Sequence, residues 1–243
     1  MIQASNLQSV THPYKELEHQ SDMQIPSKIS VELAEEVGWH IGDGSMSFYK
    51  NRGKSRGFYQ LRGHIEDDED HYEERIKPLF DKLFGLKINI RKMPSTRVIG
   101  FQIWNDKLVN FKKNLGLPLG YKYEVPIPKV FLSKDNLKKA VIRGIFDTDG
   151  GVYLERKNNK LYPRLSIITI SFKLSEQLLE LFSGMGFRAT RYSQLYNRDF
   201  NRKRSYIITI RGVEMFHKFM KEISPKNPKH IKKYQKFLNS QNL

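Results

Sequence analysis

Val37-Gly-Trp-His-Ile-Gly-Asp-Gly-Ser45 and Arg143-Gly-Ile-Phe-Asp-Thr-Asp-Gly-Gly151 decide how this chain is read. Each runs from an apolar, helix-like segment through a small residue into Asp-Gly. Gly38, Asp43 and Gly44 recur as Gly144, Asp149 and Gly150 at one offset of 106 residues (38 to 144, 43 to 149, 44 to 150). A single Asp-Gly after a helix is an ordinary stop, because glycine takes the left-handed C-terminal conformation cheaply. A matched pair instead points to a duplicated unit that delivers one carboxylate per copy to a shared place.

The sequence around each stretch repeats in the same order. In the first copy, Ser27 or Ser30 can cap a helix that carries Val31, Ala34, Val37, Gly38 and Ile41 on one side. Strands are expected at 46–50 and 58–65 around a basic turn at 51–57. A helix follows, starting in the acidic run 66–70 and stopping at Gly85, then strands at 87–92 and 97–104 and a helix near 106–115. In the second copy a helix at 134–146 leads to strands at 151–155 and 164–170 around a basic turn at 156–160. A helix at 174–185 stops at Gly186, and strands at 188–195 and 205–211 precede a helix at 213–223. The expected fold is therefore α+β, with two pseudo-symmetric αββαββα repeats, each carrying an antiparallel sheet and meeting at a two-helix interface. The division is an N-terminal extension at 1–28, a first repeat at 29–116, a Pro- and Gly-rich linker at 117–133 and a second repeat at 134–243. Small residues four apart, Gly38 with Gly42 and Gly144 with Thr148, let the two helices approach, with Gly38 and Gly144 at the interface.

Composition narrows the partner. The 243 residues include 42 Lys or Arg against 26 Asp or Glu, a net charge of +16, and a hydrophobic content of 39%, enough for one sizeable core or two smaller ones. A folded, strongly basic protein points to a polyanion, with nucleic acid ahead of a membrane surface. No apolar run approaches the roughly 20 residues that span a bilayer, and no secretory signal pattern opens the chain. The absence of cysteine removes disulfides, thiolate zinc sites and thiol catalysis. A cytoplasmic protein, nucleoid-associated in a prokaryote, is the expectation, with organellar encoding left open.

Strand parity sorts the basic residues. Tyr59, Leu61 and Ile65 point inward, as do Ile99, Phe101 and Ile103, and Tyr206, Ile208 and Ile210. The opposite faces hold Phe58, Gln60, Arg62 and His64, then Gly100, Gln102 and Trp104, then Ser205, Ile207, Thr209 and Arg211. A solvated sheet face is the plain alternative for any one strand. The hairpins favour a phosphate backbone, because Lys50, Arg52, Lys54 and Arg56 crowd one of them and Arg198, Arg202, Lys203 and Arg204 another. The candidate DNA contacts are Lys50, Arg52, Arg56, Gln60, Arg62, Arg91, Gln102, Arg156, Arg164, Arg191, Arg204, Thr209 and Arg211. The acidic run 66–70, with His64 and His71 beside it, invites a metal reading, but carboxylates in a first helical turn satisfy free N–H groups and the helix dipole, which explains them better.

Phosphodiester hydrolysis needs a nucleophilic water, neutralisation of the transition-state charge and help for the leaving oxygen. Mg²⁺ supplies much of this from one or two carboxylates plus waters and phosphate oxygens. Asp43 and Asp149, side by side at the ends of crossing helices, would give one acid per strand of a duplex. The two stretches resemble the motifs of the LAGLIDADG homing endonucleases in their single-chain, two-motif form, over roughly residues 28–235. The joint Gly116-Leu-Pro-Leu-Gly-Tyr-Lys122 followed by Val125-Pro-Ile-Pro128 resembles the linker of that group.

The resemblance implies saddle-shaped sheets on a long double-stranded DNA site, roughly 20 base pairs for two half-sites of one helical turn each. It also implies metal-dependent double-strand cleavage with short 3′ overhangs, using Mg²⁺ or Mn²⁺, by a monomer with internal pseudo-twofold symmetry. By position, Asp43 and Asp149 are the metal-binding acids, with the carbonyls of Gly42 and Thr148 beside them. Lys122 is the candidate basic catalytic residue of the first copy, and Lys229 or Lys232 its counterpart. Ile41 stands where the second copy has Asp147, a position that is structural in the family. An intron RNA maturase and a non-catalytic DNA-binding protein on the same fold are the alternatives, with intron RNA as a possible partner. Neither alternative needs both acids.

Overall fold

The structure is a computed structural model that describes residues 23–51, 53–158, 160–195 and 204–241. Each half begins with a long helix that runs straight into a hairpin. In the first, helix α1 (Val31–Gly42) leads to β1 (Gly44–Asn51) and β2 (Lys54–His64). A helix in two pieces follows, α2 (Ile65–His71) and α3 (Lys77–Phe84), joined by a π-helical turn at Tyr72–Ile76. Pro78 explains that turn: it has no N–H, and in a regular helix its ring would press on the carbonyl four residues back. Then come β3 (Arg91–Met93), β4 (Val98–Trp104) and α4 (Asp106–Asn114). The second half repeats the order with α5 (Asp135–Asp149), β5 (Gly150–Lys157), β6 (Lys160–Thr169), α6 (Phe172–Gly184), β7 (Ala189–Gln194), β8 (Ser205–Arg211) and α7 (Val213–Glu222). A last helix, α8 (Pro228–Gln241), has no counterpart in the sequence reading.

Each half holds one four-stranded antiparallel sheet, in the orders β1-β2-β4-β3 and β5-β6-β8-β7. Tyr59, Leu61, Phe101 and Ile103 bury one face of the first sheet against Phe80 and Phe84, and Leu165, Ile167, Ile208 and Ile210 bury the matching face of the second. Several expected boundaries change. The first hairpin is tighter than a 51–57 turn, because Asn51 already pairs with Lys54. The strand expected at 87–92 shrinks to Arg91–Met93. Met23 is buried and Gln24 donates its backbone N–H to Phe84 O at 2.9 Å, so packing on the first half begins before residue 28.

The halves meet along α1 and α5. A Cβ on Gly38 would strike Val141 O and lie 2.8 Å from Gly144 Cα, and one on Gly144 would lie 2.8 Å from Gly38 Cα. The two backbones therefore touch where only glycine fits. Glu35, fully buried on α1, accepts from Arg143 Nη1 of α5 at 3.0 Å and from Arg75 at 2.8 Å, so the crossing also carries a charged tie. The linker is ordered: Gly120 N donates to Met46 O at 2.8 Å in the first half. Ser171 Oγ donates to Val125 O at 2.9 Å and Gln177 brackets the Ile127 backbone in the second.

Candidate active site at the paired helix ends

Both Asp-Gly steps turn a helix directly into a strand, though not through left-handed glycine. Gly150 is extended (φ −95°, ψ 161°), and Gly44 is not among the glycines with positive φ. Space makes both glycines necessary. A Cβ on Gly44 would lie 2.6 Å from His40 Cα, and one on Gly150 would lie 2.6 Å from Phe146 Cγ, because the strand folds back over the last helical turn. That tight exit leaves Asp43 and Asp149 at the two helix ends. A Cβ on Gly42 would lie 2.7 Å from Thr148 Cβ and 3.4 Å from Asp149 Cγ, so the carboxylate-bearing ends are in contact.

Burial raises both acids, and at Asp43 the charge of neighbouring carboxylates raises it further. Asp43 is pushed well above the usual carboxylate range by burial first, then by the charges of Asp149 and Asp68. Burial raises Asp149 to about 6, offset in part by the charges of Lys122 and Lys229. Two apposed carboxyls in this state lack positive charge. Lys122 supplies some: its Nζ donates to His40 O at 3.4 Å, to Ile41 O at 3.0 Å and to Gly42 O, capping the carbonyl end of α1. Burial lowers its own pKa, and Asp149 and Asp43 pull it back up. Lys229 also acts on both acids through its charge, and is bonded to Asp68 Oδ1 at 2.8 Å. Lys232 is drawn to Asp70 Oδ2 at 3.0 Å and is exposed, so of the two candidate counterparts of Lys122 it is Lys229 whose charge acts on the paired acids.

The donor set is all oxygen: the Asp43 and Asp149 carboxylates, with the Gly42 and Thr148 carbonyls one residue before each. That set suits a hard divalent cation, and two repelling carboxyls are the electrostatic condition such an ion relieves. Among the described residues, no group of three or more His, Asp or Glu is placed to hold a metal. Asp147 does different work. It is buried, and its carboxylate accepts the backbone N–H groups of Lys226 (3.1 and 3.0 Å) and Asn227 (3.1 Å) at the start of α8. Burial raises it to about 7 against those two bonds. Ile41, its counterpart, is buried in apolar surroundings.

The open face of the first sheet, away from the helices, holds Arg56, Gln60 and Arg62 on β2, Gln102 and Trp104 on β4, and Arg91 on β3 opposite Gly100. Gln60 Nε2 donates to Ser45 Oγ at 2.8 Å and Gln102 Nε2 to Gln60 Oε1 at 3.5 Å, a chain of two amides and a hydroxyl across three strands. Tyr49, Phe58 and Trp104 cluster beside it with ring centroids 4.7–5.9 Å apart, and the Arg56 guanidinium lies 6.0 Å from the Trp104 ring. On the second sheet, Arg211 is exposed opposite Arg164. Arg164 is engaged: it donates to Glu155 Oε1 at 2.8 Å and to Ser166 Oγ at 3.2 Å, over the Tyr153 ring.

Several candidate contacts sit elsewhere. Thr209 is on the open face but only 2% exposed, and its buried hydroxyl has no hydrogen-bond partner. Arg191 is on the helix face, opposite buried Ile208, where it donates to Ser175 Oγ at 3.2 Å and covers the Phe172 ring. Lys50 and Arg156 share the parity of buried Met46 and Val152 and reach solvent only because they lie at hairpin ends. Arg204 is exposed and tied to Ser193 Oγ at 2.8 Å on the helix-face parity. Arg52, Arg198, Arg202 and Lys203 lie outside the described residues. The sequence reading missed α8, although His230, Tyr234 and Phe237 recur at helical spacing, and it missed the cross-half role of Asp68.

Comparison with known proteins agrees with this architecture. Residues 136–224 match the model of the LAGLIDADG-like domain. Three curated relatives come from Methanocaldococcus jannaschii. An uncharacterized protein is 29% identical over 199 residues, 80% of this chain and 21% of the relative. A DNA polymerase is 26% identical over 67% of this chain and 9% of its own length. A glutamine–fructose-6-phosphate aminotransferase is 25% identical over 92% of this chain and 19% of its own. The chain thus spans about a fifth or less of the curated relatives it matches. Among solved structures, I-DmoI in complex with DNA and Mn is 20% identical with a TM-score of 0.57, covering 81% of this chain and 97% of that one. The LAGLIDADG meganuclease I-AabMI bound to uncleaved DNA is 14% identical with a TM-score of 0.54, covering 88% and 91%. Both likenesses are of fold.

Proposed function

For a chain whose second half is a LAGLIDADG-like domain, and whose two halves share the fold of the LAGLIDADG homing endonucleases, we propose site-specific double-strand DNA endonuclease activity. The observation that carries this reading is the contact between the ends of α1 and α5, which brings one raised carboxyl from each half to a single place. The boundaries 29–116, 117–133 and 134–243 make each half a DNA half-site reader and the linker the source of Lys122.

Asp43 and Asp149 would hold Mg²⁺ or Mn²⁺, assisted by the carbonyls of Gly42 and Thr148. Such an ion lowers the pKa of a bound water and neutralises charge on the scissile phosphate. The chain's own residues do the rest. The Lys122 and Lys229 ammonium groups stabilise negative charge as the P–O bond to the leaving oxygen breaks. The two open sheet faces position a long duplex, with Gln60, Gln102, Arg62, Arg91 and Arg211 facing base edges and phosphates. Arg56 adds charge at the hairpin. The pseudo-twofold relation of the halves lets one chain act on both strands as a monomer. DNA is the polyanion that suits the net charge of +16. Among the described residues, no helix is long and apolar enough to cross a membrane.

The test is cleavage of a duplex recovered from a randomised library. Cutting in Mg²⁺, none in chelator and restoration by added Mg²⁺ is the expected result, and metal-independent cutting contradicts the reading.

A further inference from the structure

Glu66, Glu69 and Asp70 of the acidic run 66–70 make solvent-exposed ion pairs with Arg97, Lys92 and Lys232, but Asp68 is buried and does more. It is 5% exposed, and its Oδ2 accepts the backbone N–H of His64 at 2.8 Å, the bond a helix start calls for. Its Oδ1 accepts instead from Asn227 Nδ2 and from Lys229 Nζ, each at 2.8 Å. Both donors belong to the segment of the second half that follows α7, so a first-half carboxylate holds a lysine of the other half. The same Asn227 amide donates to Asp147 O at 2.9 Å, and the Asn227 backbone N–H donates to the Asp147 carboxylate at 3.1 Å. Residues 226–229 are thereby clamped between α2 and the end of α5.

Lys122 is held differently, on neutral carbonyls at the end of α1. The two ammonium groups flanking Asp43 and Asp149 thus have unequal anchors. Lysine is a point charge on a long, flexible stem and acts from a defined position only when something fixes its Nζ. We infer that Asp68 is a positioning residue for Lys229, so that cleavage of one DNA strand depends on Asp68 and cleavage of the other does not. The inference rests on the endonuclease reading above and assigns a role to one half-site within it.

The experiment uses the full chain and a library-selected duplex carrying a different label on each strand, under single-turnover conditions with Mg²⁺. Wild-type cutting of both strands tests the endonuclease reading on its own, and its failure would leave no strand rates to compare. With wild type active, Asp68→Asn should slow one strand at least about tenfold, less than the roughly hundredfold or more that a positioned ionisable group contributes, because Lys229 is loosened and not removed. The other strand keeps its rate, nicked duplex accumulates, and the protein concentration for half-saturation is unchanged. Lys229→Gln should slow the same strand, and the double variant should be no slower than Lys229→Gln alone. Equal slowing of both strands, an unchanged strand ratio, or additive effects in the double variant would overturn the inference. Should Asp68→Asn not fold, Lys229→Gln leaves Asp68 bonded to His64 and Asn227 and decides the matter: equal slowing of both strands overturns it.

Discussion

Glu36 and Lys112 form an ion pair in the core of the first half, both side chains at most 1% exposed, with the Tyr59 hydroxyl on the same carboxylate at 3.3 Å. The equivalent places in the second half, at the same helical positions of α5 and α7, hold Ile142 and Phe219, both buried. One topology is therefore filled in two ways. A buried ion pair gives up hydration that its Coulomb attraction only partly returns, whereas an apolar pair of similar volume has nothing to give up. Duplication set the backbone, and each half then settled its own interior. The same divergence reaches the site, where Ile41 stands at the place of Asp147, and where Lys122 rests on carbonyls and Lys229 on a carboxylate.

Breaking the polar half should show the largest effect. Lys112→Met leaves Glu36 buried without its counter-charge and should cost about 3–5 kcal/mol of stability by denaturant unfolding. Converting the pair together to the second half's residues, Glu36→Ile with Lys112→Phe, should recover most of that loss. A double variant less stable than Lys112→Met would show that the halves cannot exchange cores.

The two faces of the second sheet offer a sharper contrast. Arg211 is exposed on the open face and Arg191 is packed on the helix face. Arg211→Ala should weaken binding to the selected site by about 1–3 kcal/mol in titrations, with a shallower salt dependence if it meets a phosphate. Arg191→Ala should leave DNA affinity unchanged while lowering the melting temperature. Equal losses of affinity from both would put DNA on the wrong face.

The smallest expected effect concerns pH. Asp149 has a raised pKa, so its protonated form favours folding. Its contribution to stability is complete below the ordinary carboxylate value of 3.8 and is lost as pH rises through about 6. In chelator, the melting temperature should therefore fall between pH 4 and pH 7, and Asp149→Asn should flatten that fall and melt higher at pH 7. A steeper fall in the variant would contradict the electrostatic account of the paired acids.

Much of this was legible in the sequence because duplication is a register signal. Gly38 and Gly144 at one offset announced the helix crossing, and alternation in 99–103 and 206–210 announced the strands. Charge alone misled where parity should have ruled: Arg191 sits between the open-face residues Thr190 and Tyr192 and must point the other way. The Asp-Gly glycines were placed correctly for a different reason, since crowding by His40 and Phe146, and not positive φ, excludes a side chain there. Asp68 was beyond reach because its partners lie 159 and 161 residues away and no local pattern encodes them.

If Asp43 and Asp149, one from each half, form a single site for cutting both strands, the Asp43→Asn and Asp149→Asn variants decide it, with cleavage and binding measured on the same selected duplex in Mg²⁺. Each variant should lose double-strand cleavage and keep its DNA affinity. Full cutting by either one would contradict it.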